Sequence, residues 1–297
     1  MKTIQKTGFI AILVLFSSLF IHGVSDDKKE VVPTNIAKTF IPLSIDFAGE
    51  IAPLTISDVK ERFERELIVN ANLDASTLLI IKRANRAFPV IEPILAKYGV
   101  PDDFKYLAVI ESGLVNAVSP AGARGVWQFM PETAKERGME VSDMVDERYH
   151  LEKSTEAACR YLLSAKNKFG SWTLAAASYN GGMTGVTKQI EMQKVSNYYD
   201  LLLTEETSRY VFRILALKEI MKNPQTYGFT VTPEDLYVNL PVRKVEIDSS
   251  VVDLANFAIS HGINYKILKI HNPWLRDKKL LNTTGKKYIV DIPLEGY

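Results

Sequence analysis

The sequence predicts a mainly α protein that closes on a small α+β module. Three observations predict it. Between residues 58 and 223 the apolar side chains recur almost throughout at helical spacing. After residue 236 the pattern changes to an extended run, two short helical runs and a second extended run. Ahead of both lies an apolar leader and then a polar stretch broken by prolines. A chain of 297 residues suffices for one sizeable helical domain and a module. Its 46% hydrophobic and 24% charged residues are those of an ordinary globular protein. A net charge of +1 with no basic stripe leaves no electrostatic footprint for nucleic acid, so no such partner is expected.

Residues 1–25 read as a signal peptide: Lys2 and Lys6 form the positive end, residues 8–21 the apolar core, and Gly23, Val24 and Ser25 the small residues before cleavage. The apolar core is short for a membrane span. No cysteine lies near the junction, so lipid anchoring is not expected. Residues 26–56, with Pro33, Pro42 and Pro53, read as a linker or surface wrap. Ser57 can cap a helix over 58–70, and further helices are expected over 74–86 and 89–98, the last stopped by Gly99.

The next helix starts after Pro101, with Asp102 and Asp103 at its positive end. Phe104, Leu107, Ala108 and Glu111 fall on one face, and Gly113 stops it. The loop over 116–125 is rich in Ala, Gly and Ser, which lets backbone approach a ligand closely. Pro131 opens another helix that Gly138 ends. Residues 151–169 form a longer one, Ser171 caps 172–180, and Thr204 caps the last, on which Tyr210, Ile214, Leu217 and Met221 align. In the tail, 240–247 and 287–292 read as strands, and 251–261 and 265–271 as helices.

The side chain that stands out is Glu111. A lone carboxylate pointing where apolar side chains point has its pKa raised by desolvation, which suits a general acid near neutrality. The same spacing also fits a buried glutamate paired with an arginine. Cys159 is the only cysteine, so no intramolecular disulfide can form, and its surroundings are those of a small core residue. His22, His150, His261 and His271 lack metal-ligand spacing. No metal site and no cofactor is expected.

Glu111-Ser112, then Ser119-Pro120-Ala121-Gly122-Ala123-Arg124-Gly125, then Gln128-Phe129-Met130-Pro131 resemble the signature of the lytic transglycosylase (soluble lytic transglycosylase, lysozyme-like) family. Ala176 to Gly182 and Glu206 to Tyr210 resemble its two later motifs, in the same order. The resemblance spans roughly residues 50 to 225, and within the family it is to the membrane-bound murein transglycosylase D type. Several ordered motifs are far more specific than any one. The segment 251–275 and the closing strand are similar to a LysM module, a βααβ peptidoglycan-binding unit, through Leu254, Ala255, Gly262, Ile263, Leu268, Asn272 and Pro273. The opening lacks the usual Gly-Asp-Thr-Leu stretch, so a purely structural cap is an equal reading.

The resemblance implies a lysozyme-like α domain over 57–225, a LysM-like module over 236–297, and a glycan strand of peptidoglycan as partner. It implies a lyase that cuts between N-acetylmuramic acid and N-acetylglucosamine. Glu111 would protonate the glycosidic oxygen, then take the proton of the C6 hydroxyl as that oxygen closes a 1,6-anhydro ring. The nucleophile belongs to the substrate, so no second carboxylate is required, unlike glycosidases with two carboxylates about 5–9.5 Å apart. Glu206 and Asp146 are the acids that could still fold close.

By motif position, Ser119 would bond substrate near the cleaved bond, or simply form the turn before Pro120. Gln128 and Met130 would line the groove, with Met130 alternatively in the core. Tyr179 would bring its hydroxyl to the catalytic carboxylate, with Asn180 as its motif partner. Ser112, Gly125, Glu206 and Tyr210 would shape the site, Glu206 alternatively being a surface charge at a helix start. Trp127 could stack on a sugar or fill the core. Two alternatives stay open: a muramidase that hydrolyses with water, and a non-catalytic peptidoglycan-binding protein. The expected location is periplasmic or cell-envelope associated, with a single copy as the assembly.

Overall fold

Tyr106, Leu107, Ala108, Val109 and Ile110 are all buried, so the helix that carries Glu111 is apolar on every side and runs through the core. In the computed structural model the described residues are 40–297. The leader read over 1–25 and the first part of the proline-broken stretch lie outside them.

Among the described residues the order is β1 (Asp46–Phe47), β2 (Glu50–Ile51), α1 (Ser57–Ala71), α2 (Asp74–Tyr98), α3 (Lys105–Ser112), α4 (Pro131–Glu136), α5 (Leu151–Phe169), α6 (Trp172–Gly181), α7 (Met183–Gln193), α8 (Glu205–Lys222), β3 (Val242–Ile247), α9 (Leu254–Ser260), α10 (Tyr265–His271) and β4 (Tyr288–Pro293). The helix α8 packs on α1, α3 and α6, and α5 packs on α2 and α6. No helix among the described residues is long and apolar enough to cross a membrane.

Three expectations are corrected. The two helices expected over 74–86 and 89–98 are one 25-residue helix with Pro89 and Pro93 inside it. Both prolines face solvent, where water can serve the carbonyls they leave unpaired. Ala84, Ala87, Ile91 and Leu95 hold the other side in the core across the break. Packing outweighs the lost hydrogen bonds.

The stretch expected as linker or wrap also contributes core from residue 45 onward. Phe47 is fully buried and meets Phe104 edge-on at 4.9 Å, just ahead of α3. The Glu50 carboxylate accepts from the Trp172 and Thr173 amides at 2.6 and 2.9 Å and from the Ser171 hydroxyl at 2.7 Å. It thus caps α6 where the helix dipole favours an anion. Finally, α7 had no counterpart in the sequence reading. Its only buried residue is Val186, so its apolar stripe is too narrow to stand out.

The tail forms the expected βααβ unit. Strands β3 and β4 pair antiparallel from Val242 opposite Pro293 to Ile247 opposite Tyr288. Asp253 and Asn264 cap the two helices. The buried Asn272 donates to the Leu268 and Asp291 carbonyls at 3.0 and 2.8 Å and accepts from the Asp291 amide at 2.8 Å, which ties α10 to β4. The core of this unit includes Leu254, Leu268, Trp274 and Val290, and it also takes in Val145 and Tyr149 from the helical body.

Candidate active site

Glu111 occupies the last turn of α3, where Gly113 and then Leu114 take left-handed backbone and turn the chain away. The Tyr210 hydroxyl, brought by α8, donates to Glu111 Oε1. Arg213, one turn further on α8, donates to the Ile110 carbonyl at 3.2 Å, and its charge acts on Glu111. Burial pushes the Glu111 carboxyl up to about 7. The Tyr210 hydrogen bond and the Arg213 charge pull the other way, and Glu206 adds a smaller upward push. Desolvation wins, so the carboxyl can hold a proton near neutral pH.

The phenol hydrogen-bonded to the acid is Tyr210, and Tyr179 lies near enough for the Glu111 charge to act on its hydroxyl. The Tyr179 hydroxyl donates instead to the Trp127 carbonyl at 2.8 Å. Its ring is held edge-on by Phe129 at 5.8 Å and Tyr161 at 5.1 Å. Burial, and then the Glu111 charge, hold both phenols well above their ordinary range. Both therefore stay neutral donors.

Asn180 follows on α6 and donates to Glu206 Oε1 at 3.1 Å, while its carbonyl oxygen accepts from the Thr207 hydroxyl at 2.7 Å. The motif pair thus divides its work: Tyr179 holds the loop after Glu111, and Asn180 joins α6 to the start of α8. Glu206 is exposed, as the surface-charge reading had it, yet its charge reaches Glu111.

The loop is knotted by its own groups. Ser112 Oγ donates to the Val126 carbonyl at 2.8 Å. Ser119 Oγ accepts from the Ala123 amide at 3.0 Å, so it is the turn former of its alternative reading, with the hydroxyl proton uncommitted by that bond. Gln128 has φ 48°, and its side-chain nitrogen donates to the Ala117 and Gly125 carbonyls at 3.1 and 2.7 Å. Its donors therefore hold the loop, which leaves its amide oxygen as the end that could meet substrate. Gly125 has φ 82°, and a Cβ there would stand 1.8 Å from the Arg148 carbonyl oxygen. No other residue fits.

Trp127 is fully buried and donates to the Thr155 hydroxyl at 2.8 Å, so it fills the core. Met130 is 43% exposed, which removes the core alternative. Asp146 is engaged by Arg148 at 2.8 and 2.7 Å and is not a partner of Glu111.

Sequence reasoning passed over Arg213 and Arg148. Arg213 had a signal: Glu206, Tyr210 and Arg213 fall at i, i+4 and i+7, a helix face with an acid, a phenol and a cation in line. Arg148 had none, because the loop carbonyls it holds, at Gly122 and Phe129, lie 26 and 19 positions earlier.

Residues 89–202 match the family model of the transglycosylase SLT domain, and residues 243–296 match that of the soluble lytic transglycosylase C-terminal LysM-like domain. The chain is 31% identical over 200 residues to membrane-bound lytic murein transglycosylase D of Escherichia coli K12 and, equally, of Escherichia coli O6:H1. That likeness takes in 65% of this chain and 43% of either relative, so the chain spans under half the length of the curated relatives it matches. Residues 89–202 are thus a lysozyme-like transglycosylase SLT domain, and residues 243–296 a LysM-like domain of the soluble lytic transglycosylase C-terminal kind.

Proposed function

We propose that this chain is a peptidoglycan lytic transglycosylase with Glu111 as its single catalytic acid and base. The observation that carries the reading is one carboxyl, pushed up to about 7 by burial, whose hydrogen-bond partner among the described residues is a neutral phenol. Protonated, it gives its proton to the glycosidic oxygen between N-acetylmuramic acid and N-acetylglucosamine. The carboxylate so formed is steadied by the Tyr210 hydroxyl and the Arg213 charge. It then withdraws the C6 hydroxyl proton of the muramic residue, whose oxygen attacks C1 and closes the 1,6-anhydro ring. Atoms balance without water.

The exposed Met130, the free hydroxyl proton of Ser119 and the free amide oxygen of Gln128 are the loop's offers to the glycan. Tyr179 and Asn180 act behind them by holding that loop and α8. We place residues 1–25 as an export signal and the mature chain in the cell envelope, with the body over 57–225 and the module over 236–297.

Mass spectrometry of products from residues 26–297 incubated with peptidoglycan, beside Glu111→Gln, tests this. Muropeptides lighter by one water, absent with the variant, are the expected result. Ordinary reducing ends would make the protein a muramidase. Glycan binding without turnover in either form would make it a binding protein.

A further inference from the structure

The loop that follows Glu111 leans on the turn 144–149. The Gly125 α-carbon rides against the Arg148 carbonyl, where a Cβ would stand only 1.8 Å away. The Arg148 guanidinium, 3% exposed, donates through one nitrogen to the Gly122 and Phe129 carbonyls at 3.2 and 3.1 Å. Its other two nitrogens fork onto Asp146 at 2.8 and 2.7 Å. The Asn116 amide reaches the Tyr149 carbonyl at 3.5 Å. Both ends of the loop are therefore pinned to one turn.

The same turn is gripped from its other side by the C-terminal module. The Asp146 amide donates to the Trp274 carbonyl at 2.9 Å, and the Arg276 amide donates to the Met144 carbonyl at 2.8 Å. Val145 is 1% exposed and bridges to Leu275 inside the module's core. The Arg276 guanidinium lies 4.3 Å from the Tyr149 ring centroid. Lys286 pairs with Glu140 and with Glu147, and the Tyr288 hydroxyl donates to Glu140 at 3.0 Å. A tether needs none of this. Backbone pairing and a shared core fix the module to the turn, and the buried guanidinium carries that constraint to the loop.

We propose that the C-terminal module is a structural part of the Glu111 site: it holds the 116–129 loop through the 144–149 turn, with Arg148 as the positioning residue. The proposal rests on the transglycosylase reading for its activity readout. Arginine is required at 148 because one planar fork must bridge a carboxylate and two carbonyls, whereas lysine supplies a single point charge. A positioning group misplaced by about 1 Å can cost up to about a hundredfold in rate.

The test compares two variants of the full chain with wild type. Arg148→Lys alters the fork, and Arg276→Ala with Lys286→Met loosens the module without touching the loop. Short soluble glycan strands serve as substrate, so that loss of wall anchoring cannot lower turnover. Amide hydrogen exchange over residues 117–129 is measured alongside. In both variants exchange should quicken and kcat should fall at least about tenfold, while KM moves less than about twofold.

Wild-type loop exchange and wild-type kcat in the module-side variant, with weakened adsorption to intact peptidoglycan, would overturn the proposal and make the module a tether. If wild type itself does not turn over glycan, the transglycosylase reading fails and the exchange measurement alone decides. Unchanged loop protection then overturns the proposal, and lost protection sustains it.

Discussion

Glu111 and Asp146 are both acids withdrawn from solvent in the helical body, and they have opposite partners. Asp146 is 2% exposed and meets the guanidinium fork of Arg148. Glu66, 1% exposed, is paired in the same way with Arg209 at 2.6 and 3.3 Å. In both pairs the acid sits on a guanidinium, a charge-assisted arrangement with a structural use. Glu111 receives a phenol hydrogen bond instead, and Arg213, whose charge acts on it, donates to the Ile110 carbonyl. Its carboxyl moves to about 7 and can exchange a proton near neutral pH. Under the proposed function, what separates the acid that does chemistry from those that serve architecture is the partner, more than the depth of burial.

The largest effect that sharpens this contrast is loss of turnover in Glu111→Gln, at least about a thousandfold in product release. The same variant should be the more stable protein at pH 8. A carboxyl raised from 4.5 to about 7 binds its proton more tightly folded than unfolded, so wild-type stability falls as pH rises through that window. The glutamine is spared that loss, by about 3 kcal/mol at pH 8 and by almost nothing near pH 4. Denaturant titrations at the two pH values measure it; equal stabilities at pH 8 would mean Glu111 pays no desolvation cost. Asp146→Ala should do the reverse. It strands a buried guanidinium and costs about 3 kcal/mol in the same titration.

Much of the fold was legible because packing follows periodicity. Residues 151–169 and the cap at Ser171 were readable from spacing and one hydroxyl, and the first strand of the tail from partial alternation. The join across Pro89 was not, because local propensity argues for a break and only the buried stripe from Ala84 to Leu95 overrules it. Glu111 was legible from its apolar face together with the motif. The identity of its hydrogen-bonded phenol was not. Tyr179 and Tyr210 both sit on helices that reach the site, and only three-dimensional packing decides which hydroxyl bonds the carboxyl. The Asp146–Arg148 fork was invisible for a similar reason, since its meaning comes from carbonyls at Gly122 and Phe129.

Two smaller effects separate the neighbours of Glu111 by sign. The Tyr210 hydroxyl stabilises the carboxylate, so Tyr210→Phe removes a downward pull and sends the Glu111 carboxyl above about 7. Turnover should fall about tenfold, and the alkaline limb of kcat/KM, which reports loss of the acid's proton, should move to higher pH. Glu206 acts oppositely: its negative charge holds the Glu111 proton in place. Glu206→Gln keeps an oxygen for the Asn180 amide and deletes only the charge. Its maximal rate should stay within about twofold of wild type while the alkaline limb moves to lower pH, an effect that weakens as salt screens the exposed charge. Limbs moving the same way in both variants would mean that they report some other group, and would detach the profile from Glu111.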